Sequence, residues 1–155
     1  MPFRISGLDP APFRHLYGLA EDELARLGVQ RHSVDSHPGF PDRIELRDLE
    51  PGESALLLNY VHQPADTPYK ASHAIFIREG AETPFEAVDT IPQVIHRRMI
   101  SLRAFDDRGD MLDADLVDGH AIEPLIARFL SDPRVSYLQA HYAKRGCYAA
   151  RIARA

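Results

Sequence analysis

Eight histidines in 155 residues give this chain more imidazole than its size requires, and imidazole is the side chain whose charge changes nearest neutral pH. Two of them stand out. His62 and His73 close two apolar runs separated by a loop at 63–69, and pairing those runs antiparallel places the two rings nearly opposite each other at the loop end, with Asp66 and Tyr69 in the loop. Two imidazoles and a carboxylate could bind zinc or non-haem iron, or serve as acid and base, which makes His62, His73 and Asp66 candidate metal ligands. The plainer reading, that the two histidines cap strand ends and bond to backbone groups, has the greater weight. His32, His37, His96 and His120 sit in less suggestive surroundings.

Cys147 is the single cysteine. Lys144 and Arg145 precede it, and such cations lower a thiol pKa when their heads come close. Packing as a small hydrophobe is the stronger expectation. His141 pairs across the turn with Tyr148, which puts Cys147 on the opposite face of the hairpin and counts against a Cys147/His141 nucleophile and base. The acidic residues between Asp106 and Asp118 are too scattered for a calcium loop. No phosphate loop, dinucleotide glycine fingerprint, zincin helix or nucleophile elbow is present, so no cofactor is assigned.

The elements that must position these groups read as follows. Residues 3–8 form a first strand, Asp9-Pro10 starts a short or broken helix, and acidic residues followed by Gly28 mark a second helical piece at 21–27. Strands are expected at 29–34, 43–46, 55–62, 72–78, 98–105 and 112–117. The 55–62 and 72–78 pair reads as the central hairpin, where the core of the sheet begins. The proline-rich and glycine-rich stretch 36–42 is a loop, and 79–92 is a connection with a helical turn around Phe85. The clearest helix, at about 121–131, carries Ile122, Leu125, Ile126, Phe129 and Leu130 on one stripe, and strands at 135–142 and 147–152 close the chain. The fold class is therefore α+β: a mostly antiparallel sheet with that helix and a short N-terminal helical segment packed on it.

The totals bound what such a fold can do. One domain spanning 1–155 is expected, with 45% hydrophobic and 26% charged residues in the globular range. A net charge of -5 gives no global attraction to polyanions, so nucleic acid is disfavoured as a partner. No apolar run is long enough for a membrane span, and with one cysteine and no leader-like apolar run at the N-terminus a cytoplasmic protein is expected.

The succession Pro38-Gly39-Phe40-Pro41-Asp42-Arg43, Glu50-Pro51-Gly52-Glu53, Leu56-Leu57-Leu58, Pro68-Tyr69, Ala74-Ile75-Phe76 and Gly146-Cys147-Tyr148 resembles DUF1203, a bacterial family of unknown function. The likeness runs from Phe3 to Arg151. It implies a compact bacterial cytoplasmic domain and supplies no mechanism. Where the family often places a cysteine before the arginine, this chain has Asp42.

Two functional classes follow. One is a small-molecule binding protein or enzyme whose pocket lies near the 36–42 and 63–73 loops, with Asp42, Arg43, His62, Tyr69 and His73 as candidate lining residues. The other is a non-catalytic interaction module, a homodimer joined through a sheet edge.

Overall fold

The computed structural model describes residues 1–155, folded as an α+β protein in which every pair of strands is antiparallel. The strands divide into two sheets. The larger has six strands: β1 (Phe3–Ser6), β5 (Glu86–Val88), β6 (Met99–Phe105), β7 (Met111–Asp118), β8 (Tyr137–Tyr142) and β9 (Cys147–Arg154), in the order β5-β1-β9-β8-β6-β7. The smaller is β2 (Gln30–Ser33), β3 (Ser54–Gln63) and β4 (Ala71–Arg78), in that order. The hairpin expected to found the sheet belongs instead to this smaller one.

Two hydrophobic cores explain the division. One face of the large sheet buries Ile5, Ile100, Leu102, Leu138 and Ile152 together with the helices α2 (Gln93–His96) and α3 (Ile122–Leu130). Along α3, residues 122, 125, 126, 129 and 130 are buried, the i, i+3, i+4, i+7, i+8 stripe of a helix that covers a sheet. Three carbonyls at and just beyond its end, those of Leu130, Asp132 and Val135, accept from the Arg154 guanidinium at 2.6, 2.9 and 2.6 Å. The second core gathers Leu56, Leu58, Ile75 and Ile77 of the small sheet with Leu24 of α1 (Glu21–Arg26), Phe13 and Leu16 of a 3-10 helix (Ala11–Leu16), Ile44 and, from the large sheet, Tyr148. Alternation along β9 thus sends Cys147 into the first core and Tyr148 into the second.

Residues 43–46 are not a strand, although Ile44 and Leu46 are both buried as alternation suggested. Leu46 adopts a left-handed backbone (φ 50°), and the Asp42 carboxylate draws in the amides of Glu45 and Arg78. The chain bends here to fasten the two sheets. Leu8 N–H donates to Arg43 O, and a Cβ on Gly7 would stand 2.0 Å from Ile44 O, so only glycine permits this approach. The helical turn expected around Phe85 is also absent. Phe85 N–H donates to Ile44 O and leads into β5, because the free edge of β1 offers backbone partners that a local helix cannot. The helix α2 was not signalled: four residues are too few to show a period.

Candidate ligand-binding site

A cavity of about 600 Å³ opens where the end of β3 stands over the face of the large sheet opposite α3. Tyr60 and His62 reach it from β3, Tyr137 and Gln139 from β8, Tyr148 and Arg151 from β9. Segments 6–9, 63–65 and 107–109 form its walls. Strand register dictates the floor: Ser6 pairs with Arg151, Arg151 with Gln139, and Gln139 with Arg103, which places four polar residues in one row across β1, β9, β8 and β6.

Gln139 organises the site. Its amide N–H donates to His62 O at 2.9 Å, which turns Oε1 toward His62 Nδ1 at 2.9 Å and His141 Nε2 at 3.0 Å. With Oε1 as acceptor, a neutral His62 carries its proton on Nδ1 and keeps the Nε2 lone pair free. The His62 ring lies flat against Tyr148, with centroids 5.7 Å apart and planes 11° apart, and meets His141 edge-on at 4.8 Å. Burial holds the His62 pKa below its ordinary value against the opposing Gln139 hydrogen bond. Burial, with help from the nearby Arg103 charge, pulls His141 down to about 3. Burial raises Tyr60 and Tyr148 above the usual phenol range. At neutral pH the cavity is therefore lined by the uncharged imidazole of His62 and by protonated phenols.

Tyr148 is the most telling member: the residue is 4% exposed, it lines the cavity, and its hydroxyl has no hydrogen-bond partner in the chain. Tyr60 likewise presents a free hydroxyl. Arg151 lies over the Tyr137 ring at 4.7 Å, with no carboxylate within ion-pair distance. The Gln63 amide donates to Tyr137 Oη at 2.7 Å and steadies that ring.

Of the residues singled out in the sequence, only His62 is in this cavity. His73 pairs with Tyr60 rather than with His62, which falls at a bulge in β3 between Val61 and Gln63; His73 is half-buried, with Nε2 3.1 Å from Arg145 O. Tyr69 is 42% exposed and Asp66 is exposed, both in the loop beyond the cavity wall. No three His, Cys, Asp or Glu side chains gather as a metal would need, so His62, His73 and Asp66 are not brought together as a ligand set. Asp42 is 0% exposed, its carboxylate accepting from the Glu45 and Arg78 amides and its pKa raised by burial. Arg43 is 2% exposed and donates from Nε to Tyr148 O at 2.8 Å, from one terminal nitrogen to Pro41 O, and from the other to Cys147 Sγ at 3.1 Å. The 36–42 loop contributes nothing to the cavity. Its His37 lines a smaller one of about 240 Å³ with Arg47, Asp48 and Arg97.

Sequence reading missed Tyr60, Gln139, Tyr148 and Arg151 as cavity residues. The signal available was in β8, where Tyr137, Gln139 and His141 alternate with Leu138 and Ala140: three polar groups on the second face of a strand that is buried on both.

No curated protein and no solved structure matches this chain. No helix is long and apolar enough to cross a membrane. A family model described as a protein of unknown function, DUF1203, matches residues 39–154, which takes in the Asp42–Arg43 bend and the hairpins β3–β4, β6–β7 and β8–β9. The chain belongs to the DUF1203 family.

Proposed function

We propose that the chain binds a small polar organic molecule in the cavity between its two sheets. The observation that carries this is the unpartnered hydroxyl of Tyr148. Tyr142 Oη is the one fully buried side-chain polar atom that lacks a partner, so the Tyr148 hydroxyl, on an otherwise buried ring, meets the open space of the cavity, where a bound ligand takes the place of water. The volume of about 600 Å³ lies within the range of small-molecule sites, and the mixture of aromatic rings with a few convergent polar groups has the usual composition of one. Tyr60, His62, Gln139, Tyr148 and Arg151 are its contact residues.

A homodimer through a strand edge has less support. The edge strand β7 spends two amides internally: Ala114 N–H and Leu116 N–H each donate at 2.8 Å to the carboxylate of the preceding aspartate. The outer edge of β4 is engaged by residues 42–43 through Arg43 N–H to Phe76 O and Arg78 N–H to Asp42. What remains, β2 and β5, is only four and three residues long.

The test is an amide correlation spectrum of ¹⁵N-labelled protein titrated with a library of small polar metabolites. Binding in the cavity moves the signals of residues 60–65, 139 and 148–151 and spares those of β7. Hits whose shifts all map elsewhere overturn the reading, and concentration-dependent broadening along β2 favours the dimer.

A further inference from the structure

The arrangement of donors and acceptors in the cavity narrows the ligand class, an inference that rests on the binding role proposed above. Two neighbouring groups in the cavity, one from each sheet, have opposite hydrogen-bonding sense. His62 Nε2 is an acceptor, because Gln139 Oε1 fixes the proton on Nδ1. The Tyr148 hydroxyl is free to donate, and its ring lies face to face with that imidazole at 5.7 Å. A single alcohol group satisfies both, its O–H donating to Nε2 while its oxygen accepts from the phenol. A carbonyl satisfies only the phenol, and an ammonium only the imidazole.

The third element is charge. Arg151 and Arg103 flank Gln139 in the floor row, and neither has a carboxylate within ion-pair distance. The walls add Asp9, Asp107 and Arg108, so the lining holds two carboxylates and two guanidiniums, but neither carboxylate comes within ion-pair distance of Arg151, whose fork stays open to a ligand. Arg151 is the member of the pair that faces the cavity, its guanidinium held over Tyr137, an arrangement that fixes the plane of the fork for a carboxylate. We infer that the cavity binds a small hydroxy acid, with its carboxylate on Arg151 and a hydroxyl between His62 Nε2 and the Tyr148 phenol.

Matched pairs of probes test this, with affinities read by titration calorimetry and sites by amide shifts: lactate against propionate, glycerate against glycerol, and gluconate against glucitol. The expected result is that the hydroxy acid of at least one pair binds in the cavity at least about tenfold more tightly than its partner, the ratio a single good hydrogen bond provides. Arg151→Gln then removes the advantage of glycerate over glycerol and of gluconate over glucitol, and Tyr148→Phe that of lactate over propionate. Thermal melts of both variants confirm that they are folded. Equal binding within every pair, no binding by any of the three hydroxy acids, or preferences unchanged in both variants would overturn the inference. If library compounds of other classes still shift the cavity residues, the hydroxy-acid assignment falls while the binding role stands; if nothing shifts them, both fall.

Discussion

The two faces of the β8–β9 hairpin both bury polar side chains, yet they are built on opposite terms. On the Cys147 side, Arg43 has Nε and both terminal nitrogens engaged, and Asp48, with a side chain 1% exposed, accepts from both Arg97 and Arg98. Only Tyr142 Oη is left without a partner there, on a ring that has the Arg43 and Arg98 guanidinium carbons each 5.1 Å from its centre. That residue lines neither the large nor the small cavity. On the Tyr148 side, the groups that reach the cavity keep unused capacity: the phenols of Tyr60 and Tyr148, one imidazole nitrogen of His62 and the Arg151 guanidinium. Burial of polar groups by itself does not locate a functional site. Unspent hydrogen-bonding capacity facing a space is what distinguishes the proposed one.

The sharpest way to break this contrast is Arg43→Ala. It leaves the carbonyls of Tyr148 and Pro41 unpaired and opens a cavity, and the expected loss is about 3–4 kcal/mol in urea denaturation. A loss under about 1 kcal/mol would mean that the Arg43 face is not the structural clamp described. Asp48→Asn removes the charge that pairs with Arg97 and Arg98 while keeping the shape, and should cost about 2 kcal/mol by the same measurement.

His141 gives a pH signature. Its folded pKa is depressed to about 3 from 6.5, so the unfolded chain takes up the proton first. The stability contributed by the neutral ring is present above pH 6.5 and is lost as pH falls toward 3, with a slope of at most about 1.4 kcal/mol per pH unit. Stability curves of His141→Phe should be flatter across that window than those of the parent. Parallel curves would show that His141 titrates normally. The smallest expected effect is the most diagnostic: Tyr148→Phe removes a hydroxyl with no partner, so stability should change by less than about 0.5 kcal/mol. A clear destabilisation would place Tyr148 with the spent groups.

Much of the scaffold was legible in the sequence. The apolar stripe of α3 and the β3–β4 and β8–β9 hairpins carry long periodic signals, and the pairing of His141 with Tyr148 followed from the turn between them. What was not legible depended on contacts distant along the chain. Ile44 and Leu46 alternate like a strand, but the carboxylate of Asp42 and the amide of Arg78 decide the bend. Among the candidate site residues, His62 alone lies in the cavity, because Gln139, 77 positions away, and β9 complete it. Asp42 and Arg43 stood out for their chemistry, which the fold spends on joining its sheets.

The place of β9 in the large sheet has a kinetic consequence. It lies between β1 and β8, pairing Phe3 with Arg154 and Leu138 with Ile152. While the chain is being synthesised, β1 and β8 have no common neighbour until residues 147–154 have left the ribosome. Closure of the sheet must then recruit a strand from the opposite end of the domain, a search that places folding among the slow, high-contact-order class. Until that strand docks, the apolar face that α3 covers stays incomplete, and the unpaired edges of β1 and β8 stay open to other strands.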